Sequence, residues 1–310
     1  MHMPRFGPIP ATFDEARCML SVRPVGALPL QLRHLRLALQ GALDGLDVVQ
    51  PIVADLSVGM VLDLPDVDAA VSAAQLARWG VGLPQALDAA VAAAFDRPVP
   101  QAQRVESVHL YRDVRFAGTA LLRPELLRGL PVDGDPVILL PTVGDLLVGG
   151  ANDPAGLTFI VRMAERVVQS DAIPVSIQPL ILRGSGWTPF EWPAAARPYA
   201  NALRRRWDGL HYAAQQPLLN QHFERVGPPY FVPELGLFAK DGETITVTSL
   251  TEGVPTLLPL ADLVGLVRVG GQVTQVPMEQ LFRIPGLLVP VPNTAPPRVF
   301  ATRFPTELAR

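Results

Sequence analysis

Several short constellations in this 310-residue chain carry side chains suited to chemistry. Asp55, Asp63, Asp66 and Asp68 flank the apolar run LSVGMVLDLP. Paired carboxylates can hold a divalent cation, or divide the roles of general acid and general base. At the ends of a strand they serve equally as turn and cap residues, and that plainer role is expected here. His109 and Asp113 in ESVHLYRDV lie on one side of an extended chain, two same-face steps apart. A His–carboxylate pair is the raw material of general-base catalysis, but a nucleophile is missing from the neighbourhood. His211 and His222 are eleven residues apart, close to three helical turns. Zinc needs further ligands at metal spacing and the chain has no H-E-x-x-H, so no metal site is expected.

Arg204-Arg205-Arg206-Trp207 is the single basic cluster, the pattern that grips phosphate and stacks a base. The whole chain has net charge −3, and Asp208 and Glu224 sit close by, so a solvated helix face is expected and no nucleic-acid partner. Gly184-Ser185-Gly186 lacks the spacing of a G-x-S-x-G nucleophile elbow and reads as a loop presenting Trp187. In LLPTVGDLLVGGANDPAG (139–156), Gly149-Gly150 stands between a strand and a helix. A Walker loop needs a following Lys, and a dinucleotide loop needs G-x-G-x-x-G. Neither is present. The pair therefore reads as a strand-to-helix corner, with Asn152 or Asp153 capping the helix and Pro154 in its first turn.

These groups need positioning elements, and the composition supplies them. The chain is 49% hydrophobic and 18% charged, enough apolar material for packed cores and too little charge for disorder. The one cysteine, Cys18, excludes an internal disulfide and a cysteine-based zinc site, and on its apolar stretch it is expected to be a small buried hydrophobe. No apolar run is long enough to span a bilayer, and the N-terminus lacks the apolar core of a signal peptide. Basic residues are nearly all Arg, with Lys240 the lone lysine. This matches a high-GC bacterial coding bias, and a cytoplasmic location is expected.

Strand and helix patterns alternate along the chain. Leu32, Leu35, Leu39 and Leu43 have helical spacing, and extended runs follow at Val48–Val53 and Val58–Leu64. Ser72 and Gly80 bracket a short helix, and a second helix begins near Pro84. ESVHLYR is a strand and LRPELLRGL a short helix. Val137–Leu140 and Leu146–Val148 form a hairpin. Leu157, Ile160, Val161, Ala164, Val167 and Val168 then give a clean amphipathic helix.

Three stretches in this order resemble one known family: VLDLPDVDAAVSAAQLARWGVGLPQALDAAVAAAF (61–95), PVILLPTVGDLLVGGANDPAGLTFIVRMAERVV (136–168) and IPVSIQPLILRGSGWTPFE (173–191). They are similar to the YtpQ-like bacterial family, a domain of unknown function, over roughly residues 45–192. The resemblance implies a soluble bacterial α+β protein and brings no reaction with it.

Beyond the Pro-rich joint TPFEWPAAARP, residues 199–227 read as helical with an interruption at Pro217. A hairpin follows about Asp241-Gly242, with Thr244, Thr246 and Thr248 alternating against Ile245 and Val247. A second hairpin turns about Gly270-Gly271, MEQLF makes one helical turn, and a last strand lies near RVFATRF. The expected fold is α+β. Residues 1–195 form a mixed sheet with packed helices, and residues 196–310 a small antiparallel sheet with a covering helix.

Two function classes remain. The first is a non-catalytic interaction or scaffold protein that binds a protein partner or itself. Its candidate interface is Arg183, Trp187, Phe190, Trp192 and Arg197, because aromatic residues and Arg dominate interface centres. The alternative is an enzyme with a site in a cleft between the domains, drawing on His109, Asp113, Asp145, Glu191 and Glu252. No cofactor, metal or membrane partner is expected.

Overall fold

The computed structural model describes residues 9–42, 46–64, 68–95, 98–168, 173–226, 230–240, 243–292 and 294–309. The fold is α+β. The chain divides into two compact units, Met1–Leu30 with Gln40–Ala200, and Gln31–Leu39 with Asn201–Arg310. Asp66 and the Asp241-Gly242 turn lie outside the described residues.

In the first unit, α1 (Phe13–Ala16) leads into a sheet of β1 (Leu20–Gly26), β2 (Val49–Val53), β3 (Leu56–Asp63) and β4 (Asp68–Ala70). α2 (Ala27–Leu39) leaves β1 directly, and its residues 31–39 belong to the second unit. Ser72 caps α3 (Ala73–Trp79) by accepting the Gln75 N–H, and Gly80 ends it at φ +69, a backbone conformation open to glycine. α4 (Leu83–Phe95) follows.

The second sheet of this unit holds β5 (Gln103–Val105), β6 (Val108–Arg112), β7 (Pro136–Leu139), β8 (Asp145–Gly150), β9 (Leu180–Arg183) and β10 (Gly186–Pro189). α5 (Val114–Leu122) and α6 (Glu125–Arg128) follow β6, and α7 (Pro154–Val168) follows β8. Leu157, Ile160, Val161, Ala164 and Val168 of α7 are buried, as their spacing requires. The strand pairings of both sheets are antiparallel. The expected mixed pairing is therefore found elsewhere, in the second unit.

Gly149-Gly150 is a packing corner. A Cβ on Gly149 would lie 2.8 Å from Ile160 Cδ1 of α7, and one on Gly150 would lie 2.1 Å from the Asp133 carbonyl oxygen. Asp153 supplies the helix cap, accepting the Gly156 N–H at 2.9 Å and a short hydrogen bond from Ser107. Those donors hold the Asp153 carboxyl below the usual carboxylate range. The N–H groups that a phosphate would need are already satisfied from within the chain.

The second unit carries the 30-residue α8 (Arg197–Val226), of which residues from 201 onward belong to it. Contrary to expectation, the helix runs through Pro217. Pro217 and Ala213, whose carbonyl loses its helical partner, are both exposed, so water can replace the missing bond. One sheet contains β11 (Gly236–Lys240), β12 (Glu243–Thr251), β14 (Leu263–Val267) and β15 (Val273–Pro277). A second contains β13 (Thr256–Pro259), β16 (Leu288–Val291) and β17 (Arg298–Ala301), and α9 (Met278–Phe282) follows β15. β12 and β14 pair in parallel, because β13 intervenes in the chain and lies in the other sheet. Leu250, Val264, Leu266, Val276, Leu287 and Val299 form a core from both sheets.

A close backbone approach fixes α5 on β1. A Cβ on Gly118 would sit 2.4 Å from the Val22 carbonyl oxygen. Gly118→Ala is expected to lower stability by about 1–3 kcal/mol, read as a fall in the urea midpoint. Gly129→Ala is the control: it meets no atom within 4 Å and should leave the midpoint unchanged.

Candidate functional site

The carboxylates about β3 are engaged with basic and hydroxyl groups. Asp63 accepts the Ser21 hydroxyl at 2.9 Å and forms an ion pair with Arg115, Nε to Oδ2 2.6 Å, and Arg23 Nη2 stands 3.9 Å away. Arg23 forms a short ion pair with Asp68. Asp55 accepts the hydroxyl of the fully buried Ser176. Alternating charge cancels the field a cation would need, and no group of three or more His, Cys, Asp or Glu among the described residues could hold a metal ion.

His109 does not pair with Asp113. It lies on β6 at 7% exposure, and the nearby Pro131 carbonyl favours its protonated form. Burial draws its pKa down, with nearby Arg104 adding to the effect. Asp113 Oδ1 instead accepts the Arg115 and Phe116 N–H groups at 2.9 Å each, capping α5. Asp145 accepts the Thr142 hydroxyl at 2.6 Å, Glu191 is exposed, and Glu252 accepts the Val269 N–H in the second unit. Of the alternative catalytic set, Asp113 alone lines the groove described below.

The basic cluster is likewise absorbed. Arg205 pairs with Asp262 at 2.9 Å, and Trp207 is buried against the His211 ring at 4.4 Å between centroids. His211 Nδ1 bonds the Trp207 carbonyl at 2.8 Å and the ring is 2% exposed. His222 lies half-buried against Phe223. Cys18 is exposed, not buried, because it falls in the turn between α1 and β1.

The expected interface breaks up. Gly184 and Ser185 make the tight turn between β9 and β10, with Gly184 at φ +58, and the pleat then sends Trp187 inward. Trp187 is 8% exposed, packs in the core of the first unit, and donates its indole N–H to the Leu121 carbonyl at 3.1 Å. It is a core residue and cannot serve as a surface anchor. Phe190 and Trp192 remain half-buried in edge-to-face contact, 6.4 Å between centroids. Arg183 is exposed, and the exposed Arg197 donates to the Trp192 carbonyl.

Two features of the surface were not singled out from the residues. One is a groove of about 150 Å³ in the first unit, bounded by β1, α4, residues 98–100 and α5. Its floor includes Val22, Ala90 and Phe116, and Ser21, Thr119, Asp113 and Arg115 supply the polar atoms.

The other is the outer face of the β11–β12–β14–β15 sheet. An open antiparallel-type sheet normally turns apolar residues inward and polar ones outward. Here the order is inverted on β12. Thr246 and Thr248 are buried at 5% and 4% exposure, while Ile245 and Val247 occupy the opposite face. Register places Phe238 beside Ile245, Val247 beside Leu263, and Val267 beside Val273 on that face. Phe238 is 56% exposed and Val273 60%, and the other four are half-buried. The inner Thr hydroxyls have internal partners, Thr246 with Asp262 and Thr248 with the Glu234 carbonyl, so their burial is satisfied. A pair of alternating Thr and β-branched apolar residues does not reveal which set faces inward. The signal in the sequence was the matching apolar parity at Leu263, Val267 and Val273.

Comparison with models of protein families, with curated proteins and with solved structures finds no match.

Two measurements check these placements. Trp79, Trp187 and Trp207 are buried and Trp192 is half-buried, so acrylamide should quench mainly the Trp192 fluorescence. Trp192→Phe should remove that fraction without altering stability, whereas Trp187→Ala should cost about 3–5 kcal/mol in a urea titration. For His109, a folded pKa below the ordinary value means the unfolded chain binds the proton more readily. Its contribution to stability is full above about pH 6.5 and is lost as pH falls through the lowered value. The urea midpoint should therefore drop between pH 7.5 and pH 5, and His109→Gln should flatten that slope.

Proposed function

We propose that this is a non-catalytic protein-interaction module that receives an apolar segment of a partner protein on the outer face of the β11–β12–β14–β15 sheet. One observation carries the reading: six apolar side chains share a sheet face on which polar residues are the rule. An exposed β11 edge lies beside them, and an open edge can extend the contact by main-chain hydrogen bonds. Four strands about 4.8 Å apart and five residues of about 3.3 Å each give about 300 Å². A stable complex needs about 800 Å² from each partner. A second copy stacked face to face buries too little, which favours a partner that covers the face and continues past it. The engaged state of the candidate catalytic groups supports binding over chemistry. Arg-rich, cysteine-poor composition and the YtpQ-like resemblance support a bacterial cytoplasmic setting.

The test is native mass spectrometry of the protein purified gently from its own host. A stoichiometric complex with another protein is expected. It should vanish in the double variant Val247→Glu, Val273→Glu, whose thermal midpoint should match the parent because both positions face outward. A bare monomer, or a complex that survives the double substitution, overturns the reading. A homodimer lost on the same substitutions overturns it too, in favour of a second copy.

A further inference from the structure

Given docking on the outer face proposed above, on which this inference rests, the main chain of β11 fixes how the partner enters. Open strand edges invite pairing with other chains, and folded proteins blunt them with proline or charge. Here β1, β2, β10, β13, β15 and β16 end their sheets and carry Pro24, Pro51, Pro189, Pro259, Pro277 and Pro290. The short edge strands β4 and β5 carry Asp68 and Arg104. β11 is built otherwise. Its sequence GLFAK has no proline, and its charge comes only at the last residue. It pairs with β12 without a register shift, so no bulge twists the edge away.

Register shows which main-chain groups this edge presents. The Thr246 N–H donates to Asp262 Oδ2, on the β14 side of β12. Hydrogen-bonded and non-bonded pairs alternate along an antiparallel ladder. Leu237 opposite Thr246, and Ala239 opposite Thr244, are therefore the non-bonded pairs. Their N–H and C=O groups turn away from β12, to the side where no strand follows. Successive side chains leave opposite faces. Leu237, 43% exposed, points to the side of α8, and Phe238, 56% exposed, to the outer face. Both faces of the edge are thus apolar. An added strand that alternated polar and apolar residues would set polar side chains against one of them. The matching strand is apolar on consecutive residues, the pattern of a strand covered on both faces. We infer that the partner supplies an extended, continuously apolar segment that pairs with β11 through the main chain of Leu237 and Ala239. Two copies of this chain joined at β11 would leave both outer faces bare, which favours a partner that also covers the face.

Fluorescence anisotropy of the full chain with the labelled peptide KKVIVIVKK tests this, beside KKVTVTVKK, in which polar and apolar residues alternate. The first should bind one to one, and the second about tenfold more weakly or worse. Amide hydrogen exchange at Leu237 and Ala239 should slow when KKVIVIVKK binds. Ala239→Pro removes an N–H that β12 does not use, so its thermal midpoint should match the parent while KKVIVIVKK binds about tenfold more weakly. Should the midpoint fall, the exchange rates and the peptide pair decide alone. Absence of binding at millimolar KKVIVIVKK, equal affinity for the two peptides, or unchanged exchange at both amides overturns the inference. In the native complex, loss in Val247→Glu, Val273→Glu with retention in Ala239→Pro overturns strand addition and leaves outer-face docking standing. A bare parent monomer overturns both, and a homodimer lost in Ala239→Pro overturns the partner in favour of a second copy.

Discussion

The second unit depends on a buried cation held by neutral oxygens. Arg298 is 1% exposed. Its Nε donates to Gln215 Oε1 at 2.6 Å, and its Nη1 to the carbonyls of Pro233 and Leu257 at 3.2 and 2.9 Å. The guanidinium carbon lies 5.1 Å from the Tyr212 ring centre. Burial lowers its pKa to about 10, so the group is charged near neutral pH. Removing a charge from water is costly unless hydrogen bonds replace the lost solvation. Here they come from α8, from β13 and from the segment before β11, so these parts must be in register before Nε and Nη1 are satisfied, while the buried Nη2 has no hydrogen-bond partner among the described residues. Tyr212 ties the same elements together, donating to the Pro297 carbonyl and accepting the Leu260 N–H. Burial pushes its phenol up to about 12, which keeps it a donor.

That polar clasp bears on the sheet beside it. α8 approaches β11 closely enough that a Cβ on Gly209 would lie 2.9 Å from Leu237 Cδ1. The sheet face toward α8 and the β13–β17–β16 sheet is thereby assigned, and parity commits everything else. With Thr246 and Thr248 turned inward, Ile245 and Val247 must turn outward, since a one-residue shift would reverse every side chain. The apolar outer face is the consequence of satisfying Thr246 through Asp262 and Thr248 through Glu234.

Much of the architecture was legible in local pattern. The cap at Ser72, the stop at Gly80, the α7 stripe and the Gly149-Gly150 corner follow from short-range chemistry, and each stands where its residues place it. What was not legible depended on distant partners. Pro24 is tolerated in β1 because that strand is the edge of its sheet, paired with β3 alone, and the chain near Pro24 does not show this. Pro217 reads as a helix break, but tertiary packing of Leu219 carries α8 past it. Trp187 resembled an exposed anchor because nothing nearby in the chain shows the Leu121 carbonyl, 66 residues away, that receives its N–H. The His109–Asp113 pairing failed because Asp113 has a closer claim on the α5 N–H groups. The groove brings together residues from 20 to 126 and has no local signature.

Residue types alone overstate chemistry in this chain, because most of its reactive-looking groups satisfy one another. Asp63 takes Ser21 and Arg115, Asp153 takes Ser107, Asp262 takes Arg205, and His211 takes the carbonyl one turn back. Catalysis requires groups held unsatisfied and aimed at a common point, at a cost the rest of the fold must offset. One unsatisfied feature is of another kind: an apolar outer face on the β11–β12–β14–β15 sheet. Function is therefore read from the groups that the fold leaves unmatched, and these are found only once every internal partner has been counted.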